Sequence, residues 1–193
     1  MRASRQRSNT RSRLSRLDIL REVAESFIRL VKSEIHPGAV LVCADDVFEV
    51  TDVPSVVLQG PALSEDGERR TPAMLTRRNE ADLTFEQCRH PRLYHLDFDL
   101  IVTTGKEAEL LDLTEKVARF YQLHPTLAVG EHGRLAITEL VPLGGLKRVN
   151  LSNLRQSSGR CRIEDCPIYD GRVSAGKLAA GVKIEVEQTG ETP

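Results

Sequence analysis

The sequence predicts an α+β fold: a mainly antiparallel sheet packed by two amphipathic helices. Three observations predict it. Two segments, Leu17–Ile35 and Lys106–His124, repeat apolar residues at spacings of three and four, which lines up one face of a helix. A third, Leu93–Thr104, alternates with a period of two, which is the signature of a strand with one buried face. The remaining apolar runs are short and gathered in groups rather than interleaved with helices, which argues against a doubly wound parallel sheet.

In the first helix, Leu17, Leu20, Ala24, Phe27 and Val31 share a face that Val23, Leu30 and Ile35 widen. Ser15 is placed to cap it, Asp18 lies in its first turn, and His36-Pro37-Gly38 ends it. Val40–Cys43 and Val47–Val50 read as short strands on either side of an Asp45-Asp46 turn. Ser55–Gln59 reads as a buried strand stopping at Gly60-Pro61. The polar stretch from Pro61 to Pro72 contains Asp66-Gly67, a hairpin signal. Met74–Arg78 and Leu83–Gln87 are further strand candidates.

In Leu93–Thr104 the apolar phase is Tyr94, Leu96, Phe98, Leu100 and Val102. The second helix lines up Leu110, Leu113, Val117 and Phe120, with Leu111, Ala118 and Tyr121 beside them. Thr104 is placed to cap it, Glu107 and Glu109 favour its first turn, and Pro125 closes it. Beyond it the chain reads as β-rich. Leu135 and Ile137 alternate, Pro142–Gly145 turns, and Arg160–Tyr169 carries Cys161 and Ile163 in phase. Asp170-Gly171 turns again, and Ala180–Val186 is a last strand. The organisation expected is a flexible basic arm at 1–16, a single α+β domain at 17–187 and a frayed tail at 188–193.

Composition narrows the function. A chain of 193 residues buries enough surface to form a core without metal or disulfide staples. No apolar run approaches the length of a membrane-spanning helix, so no membrane partner is expected. The N-terminus has no apolar stretch of the secretory type. With no Trp, 3 Tyr and 5 Phe, a base-stacking nucleic-acid module is disfavoured.

Charge is unevenly placed. Arg2, Arg5, Arg7, Arg11, Arg13 and Arg16 precede the first acid, Asp18, and the chain's net charge of −1 leaves the remainder roughly seven charges negative. The arm is open to four readings: contact with phosphate, docking on an acidic neighbouring subunit, an organellar transit sequence, or a solvated tail.

Local chemistry is sparse. Cys161 and Cys166 form C-x4-C and Cys88 with His90 forms C-x-H, looser than the paired spacing of structural zinc sites. His36, His90 and His124 each precede a proline, and His36 and His124 end helices. His95 lies on a strand's polar phase and His132 in a glycine-flanked turn. Asp97 and Asp99 point the same way from one strand. They read either as a carboxylate pair or, more simply, as the wet face of a sheet. No nucleophile elbow, phosphate loop, dinucleotide loop or zinc-protease motif occurs, so no catalytic, metal or cofactor residues are assigned and no enzyme is expected.

Two stretches carry a resemblance. One is Tyr94-His95-Leu96-Asp97-Phe98-Asp99-Leu100 through Gly105-Lys106-Glu107-Ala108-Glu109-Leu110-Leu111, on to Ala118-Arg119-Phe120-Tyr121 and His124-Pro125. The other is Asn150–Arg160 followed by Ile168-Tyr169-Asp170-Gly171. Together they resemble the neck and tail-completion proteins of tailed bacteriophages, most of all the tail terminators.

The resemblance implies a non-enzymatic α+β virion protein. It implies a homo-oligomeric ring, usually a hexamer, that caps the tail tube protein and meets the head-completion or connector proteins. Genome DNA passes through such a ring, which is assembled in the host cytoplasm and ends in the virion neck. On that reading the six arm arginines contact a partner or DNA, and Leu151, Leu154 and Arg155 contact a neighbouring subunit or another partner. The alternative is a nucleic-acid-binding accessory protein acting through the arm. A metal-dependent enzyme built on Asp97, Asp99 or the cysteines is a third class.

Overall fold

The computed structural model describes residues 18–50, 52–148 and 153–177. In chain order the elements are α1 (Ile19–Glu34), β1 (Val40–Val42), β2 (Ser55–Glu65), β3 (Met74–Asn79), β4 (Thr84–Arg89) and β5 (Arg92–Thr104). They continue with α2 (Glu107–Leu123), β6 (Thr126–Val129), β7 (Gly133–Arg148), β8 (Arg155–Ile168) and β9 (Val173–Lys177). The chain is α+β. It divides into two compact units: the larger contains described residues of 18–70 and 91–168, the smaller those of 71–90 and 169–177.

The larger unit is a six-stranded sheet ordered β1-β2-β5-β8-β7-β6. It is mixed: β1 pairs parallel to β2, and the other pairs are antiparallel. Helix α1 contacts β6 and β8, and α2 contacts β5, β7 and β8. The smaller unit is an antiparallel sheet ordered β3-β4-β9.

The period-two reading of β5 holds. Leu96, Phe98, Leu100 and Val102 are buried, and Tyr94 is half-buried. Across the ladder, Leu96 faces Ile163 and Phe98 faces Cys161, so both strands give the same face to the core. The helices close it through three rings. Phe27 of α1 lies 5.1 Å from Phe98 and 6.3 Å from Phe120 of α2, centroid to centroid, with both pairs tilted as aromatic quadrupoles prefer.

The helix faces differ in detail from the sequence reading. The buried line of α1 is Ile19, Val23, Phe27 and Val31, continued by Ile35, while Leu20, Ala24 and Leu30 sit on its margins. In α2 the line Leu110-Leu113-Val117-Phe120 is buried as expected, but Leu111 is 66% exposed and Ala118 is also exposed. Thr104 does not cap the α2 amides. Its hydroxyl donates to the Lys106 carbonyl at 2.9 Å and closes the turn from β5. Ser15 lies outside the described residues.

Several expected strand boundaries are corrected. Val47–Val50 forms no strand, because β1 and β2 are parallel and the intervening residues must carry the chain back along the sheet. The Gln59 side chain holds that return, donating from Nε2 to the carbonyls of Ala44 at 2.9 Å and Asp46 at 3.1 Å. β2 does not stop at Gly60-Pro61 but continues through a bulge to Glu65. Gly60 is required there: its φ is +146°, and a Cβ would lie 2.8 Å from the Asp97 carbonyl oxygen.

Asp66-Gly67 forms no hairpin. The Asp66 side chain accepts from the Glu68 amide and starts a 3-10 turn at Gly67–Arg69. Pro142–Gly145 does not reverse the chain. It lies within β7, whose register against β8 shifts three times. Proline is tolerated at such bulged positions. The sequence reading predicts neither β6 nor β9: β6 alternates, burying Leu127 and Val129, but over only four residues, and β9 is five residues long with no buried phase. Ala180–Val186 lies outside the described residues.

Candidate interaction surface

The sheet face turned away from the helices carries the chain's most regular polar pattern. Asp97 and Asp99 of β5 lie directly opposite Arg162 and Arg160 of β8. Arg162 donates to both Asp97 oxygens at 2.7 and 2.9 Å, and Arg160 to those of Asp99 at 2.7 and 3.3 Å. These are side-on guanidinium–carboxylate pairs, the strongest geometry for such contacts. The Arg162 hydrogen bond pulls the Asp97 carboxyl below its ordinary value. The two acids are thus cross-strand ion-pair partners, not a free carboxylate pair. A recess of about 140 Å³ beside them is lined by Ala44, Gln59, Gly60, Ala62, Asp97, Asp99 and Arg160, with no nucleophile or imidazole among its walls.

A second polar cluster joins Asp66, His95 and Asp165, whose ligand-type atoms lie within 4.8 Å of one another. The Arg69 guanidinium sits among them, 3.3 Å from Asp66 Oδ2 and 2.8 Å from Asp165 Oδ2. It supplies the positive charge that these carboxylates would otherwise seek from a cation. The Asp165 amide donates to His95 Nδ1 at 3.5 Å.

The cysteines are free thiols. Cys43 is exposed, and Cys88, Cys161 and Cys166 are buried. Burial pushes Cys161 up to about 12 and Cys166 to about 11, and raises Cys88. Buried, protonated thiols of this kind are inert packing groups. Two histidines approach acids of α1: His124 Nε2 lies 3.4 Å from Glu34, and His132 Nε2 lies 3.4 Å from Glu22.

Of the residues the sequence nominates for contact, Arg2, Arg5, Arg7, Arg11, Arg13, Arg16 and Leu151 lie outside the described residues. Leu154 is half-buried just before β8. Arg155 opens β8 and ion-pairs with Glu107 in the first turn of α2, so it is engaged within the chain.

The sequence reading missed the two edges of the large sheet. At one, Val40 and Leu41 of β1 and Leu63 of β2 are exposed, and Val47 in the connecting segment is 97% exposed. At the other, β6 pairs only with Gly133–Ala136 of β7, so beyond Ile137 that strand has no outer strand partner among the described residues, and Leu140 and Val141 are exposed. A signal was available. From Gly38 to Glu68 the chain has no lysine or arginine but carries seven acids, a run more one-sided than any composition average reveals.

No protein-family model matches the chain, and no curated protein matches it. Solved structures do. One is a PVC sheath/tube terminator of an extracellular contractile injection system, in its extended state. It matches with a TM-score of 0.55 at 13% identity over 90% of this chain and 65% of that one. Another is the anti-feeding prophage cap, a tube-terminating cap, with a TM-score of 0.43 at 12% identity over 84% of this chain and 59% of that one. This chain therefore spans less than two thirds of the length of either. A sheet backed by two helices is an architecture it shares with the PVC sheath/tube terminator.

Proposed function

We propose that this protein is a structural, non-enzymatic component of a tailed, phage-like particle, and that it caps the end of the tail tube. The observation that carries the reading is the fold shared with the PVC sheath/tube terminator over 90% of the chain. The tail-terminator resemblance of Tyr94–Pro125 and Asn150–Gly171 points the same way from the sequence side. The paired acids and inert thiols fit a protein that works by shape.

In this reading the chain acts as a ring of copies, hexameric as in the group it resembles. The ring stops tube growth and offers a surface to a head-completion or connector protein. The six arm arginines serve contacts with an acidic neighbour or with the backbone of passing DNA. Its place is the tail or neck of the particle, reached after assembly in the host cytoplasm.

The test is to delete the chain from cells that produce the particle and measure the tubes by electron microscopy. Uncapped tubes of uncontrolled length, restored to uniform length by the re-expressed chain, are expected. Tubes of normal length and normal ends in its absence would refute the reading.

A further inference from the structure

Resting on the ring reading, we infer that successive copies of this chain meet through two unlike surfaces. The arginine-bearing face of the small β3-β4-β9 sheet of one copy receives the acidic segment between β1 and β2 of the next.

Residues paired across a ladder point to the same side of a sheet. One face of the small sheet therefore holds Met74 and Arg78 of β3, Phe85 and Arg89 of β4, and Gly176 of β9, and it bears no acid. The Phe85 ring lies over Gly176, where a Cβ would stand 2.5 Å from Phe85 Cε1. This flat apolar centre sits directly across the ladder from Arg78. Arg172 immediately precedes β9. Cys88, the one buried side chain described in these three strands, belongs to the opposite face, so the arginine face is the open one.

These arginines lack what the arginines of β8 have. Arg155, Arg160 and Arg162 each hold a carboxylate. Arg78, Arg89 and Arg172 are exposed and have no carboxylate partner among the described residues. Like charges gathered on one small sheet repel one another until an anionic surface covers them.

The chain itself carries the complement. Asp45, Asp46, Glu49 and Asp52 are exposed, lie in a stretch without lysine or arginine, and have no ion-pair partner among the described residues. Val47, in their midst, is 97% exposed. Acids around an apolar side chain thus answer arginines around an aromatic ring. Both surfaces are exposed on every copy, so a single head-to-tail contact, repeated around a closed ring, covers all of them. Contact of like surface with like would set arginine against arginine or acid against acid. A phosphate backbone would satisfy the arginines but leave the acids and Val47 bare, which is why the occupant is a second copy.

The test follows the mass of the full chain in solution across protein concentration, with and without the tube protein. Arg78→Glu with Arg89→Glu reverses the sheet face, and Asp45→Arg with Asp46→Arg reverses the segment. Each variant alone is expected to raise the concentration needed for assembly by at least about tenfold. Mixed in equal amounts, they are expected to assemble again, because each reversed surface then meets its reversed complement.

Circular dichroism matched to the unmodified chain qualifies the variants. Where a reversal unfolds the protein, Arg78→Gln with Arg89→Gln, or Asp45→Asn with Asp46→Asn, takes its place and weakens assembly. The inference is overturned if the unmodified chain forms rings and the folded variants do so equally well, or if the mixture of folded reversals stays dissociated. Loss of binding to a duplex DNA oligonucleotide in the arginine variant, with assembly intact, assigns the face to phosphate and also overturns it. Rings that ignore these surfaces leave the ring reading standing. A chain that stays monomeric with tube protein present removes both.

Discussion

Four glycines of the large unit separate two costs that a side chain at glycine can incur, so one substitution, Gly→Ala, tests the backbone path. Gly67 has an ordinary φ, and a Cβ added there would meet nothing within 4 Å. Gly133 has a φ of +91° but open space. At Gly159 no left-handed φ is involved, but a Cβ would lie 2.8 Å from the Val141 carbonyl oxygen and 3.0 Å from the Leu143 nitrogen. Gly60 combines both, with φ at +146° and the Asp97 carbonyl oxygen at 2.8 Å.

Gly67→Ala only restricts the unfolded chain and is expected to stabilise by about 0.4–1 kcal/mol. Gly133→Ala incurs the unfavourable backbone region, about 1–3 kcal/mol. Gly159→Ala forces packed backbone apart, about 1–3 kcal/mol. Gly60→Ala carries both and loses about 2–6 kcal/mol. Urea unfolding followed by circular dichroism at a constant m-value measures all four. The reasoning is refuted if Gly60→Ala is as stable as Gly67→Ala. A Gly159→Ala variant that costs nothing would show that the bulged part of β7 does not press against β8 as described.

Three further outcomes are expected. Asp97 and Arg162 are 21% and 29% exposed, against 40% and 52% for Asp99 and Arg160, so Asp97→Asn costs about 1–3 kcal/mol and Asp99→Asn at most about 1. Because Arg162 depresses the folded-state value of Asp97, its contribution is full above the unfolded carboxyl value of about 3.9 and fades as pH falls through the lower folded value. The gap between Asp97→Asn and the unmodified protein in acid titration therefore narrows below about pH 4, and a gap constant with pH would contradict the pairing. A thiol reagent at mildly alkaline pH titrates Cys43 quickly in the folded protein and the other three cysteines only after denaturation. Phe27→Ala removes the ring that touches both Phe98 and Phe120 and lowers stability by about 3–5 kcal/mol, whereas Leu111→Ala, on the exposed side of α2, changes it by less than about 0.5.

Read by itself, the sequence located both helices to within two residues and the central strand almost residue for residue. In those elements the apolar period follows burial on a single face, and burial is what periodicity reports. It also identified the buried phase of Cys161 and Ile163 and the polar phase of Asp97 and Asp99. It did not reveal that Arg160 and Arg162 would stand opposite those acids. Cross-strand register joins residues more than sixty positions apart, and nothing local encodes it.

The same limit explains the strand boundaries. Gly60-Pro61 and Pro142–Gly145 carry turn chemistry, yet neighbouring strands on the large sheet hold both segments extended and absorb the extra residues as bulges. Conversely, Val47–Val50 has strand composition but lies in a parallel return where no ladder partner waits. Local sequence sets what a segment prefers, while long-range pairing decides which backbone groups find partners. That pairing also leaves the β1–β2 and β7 edges uncovered among the described residues.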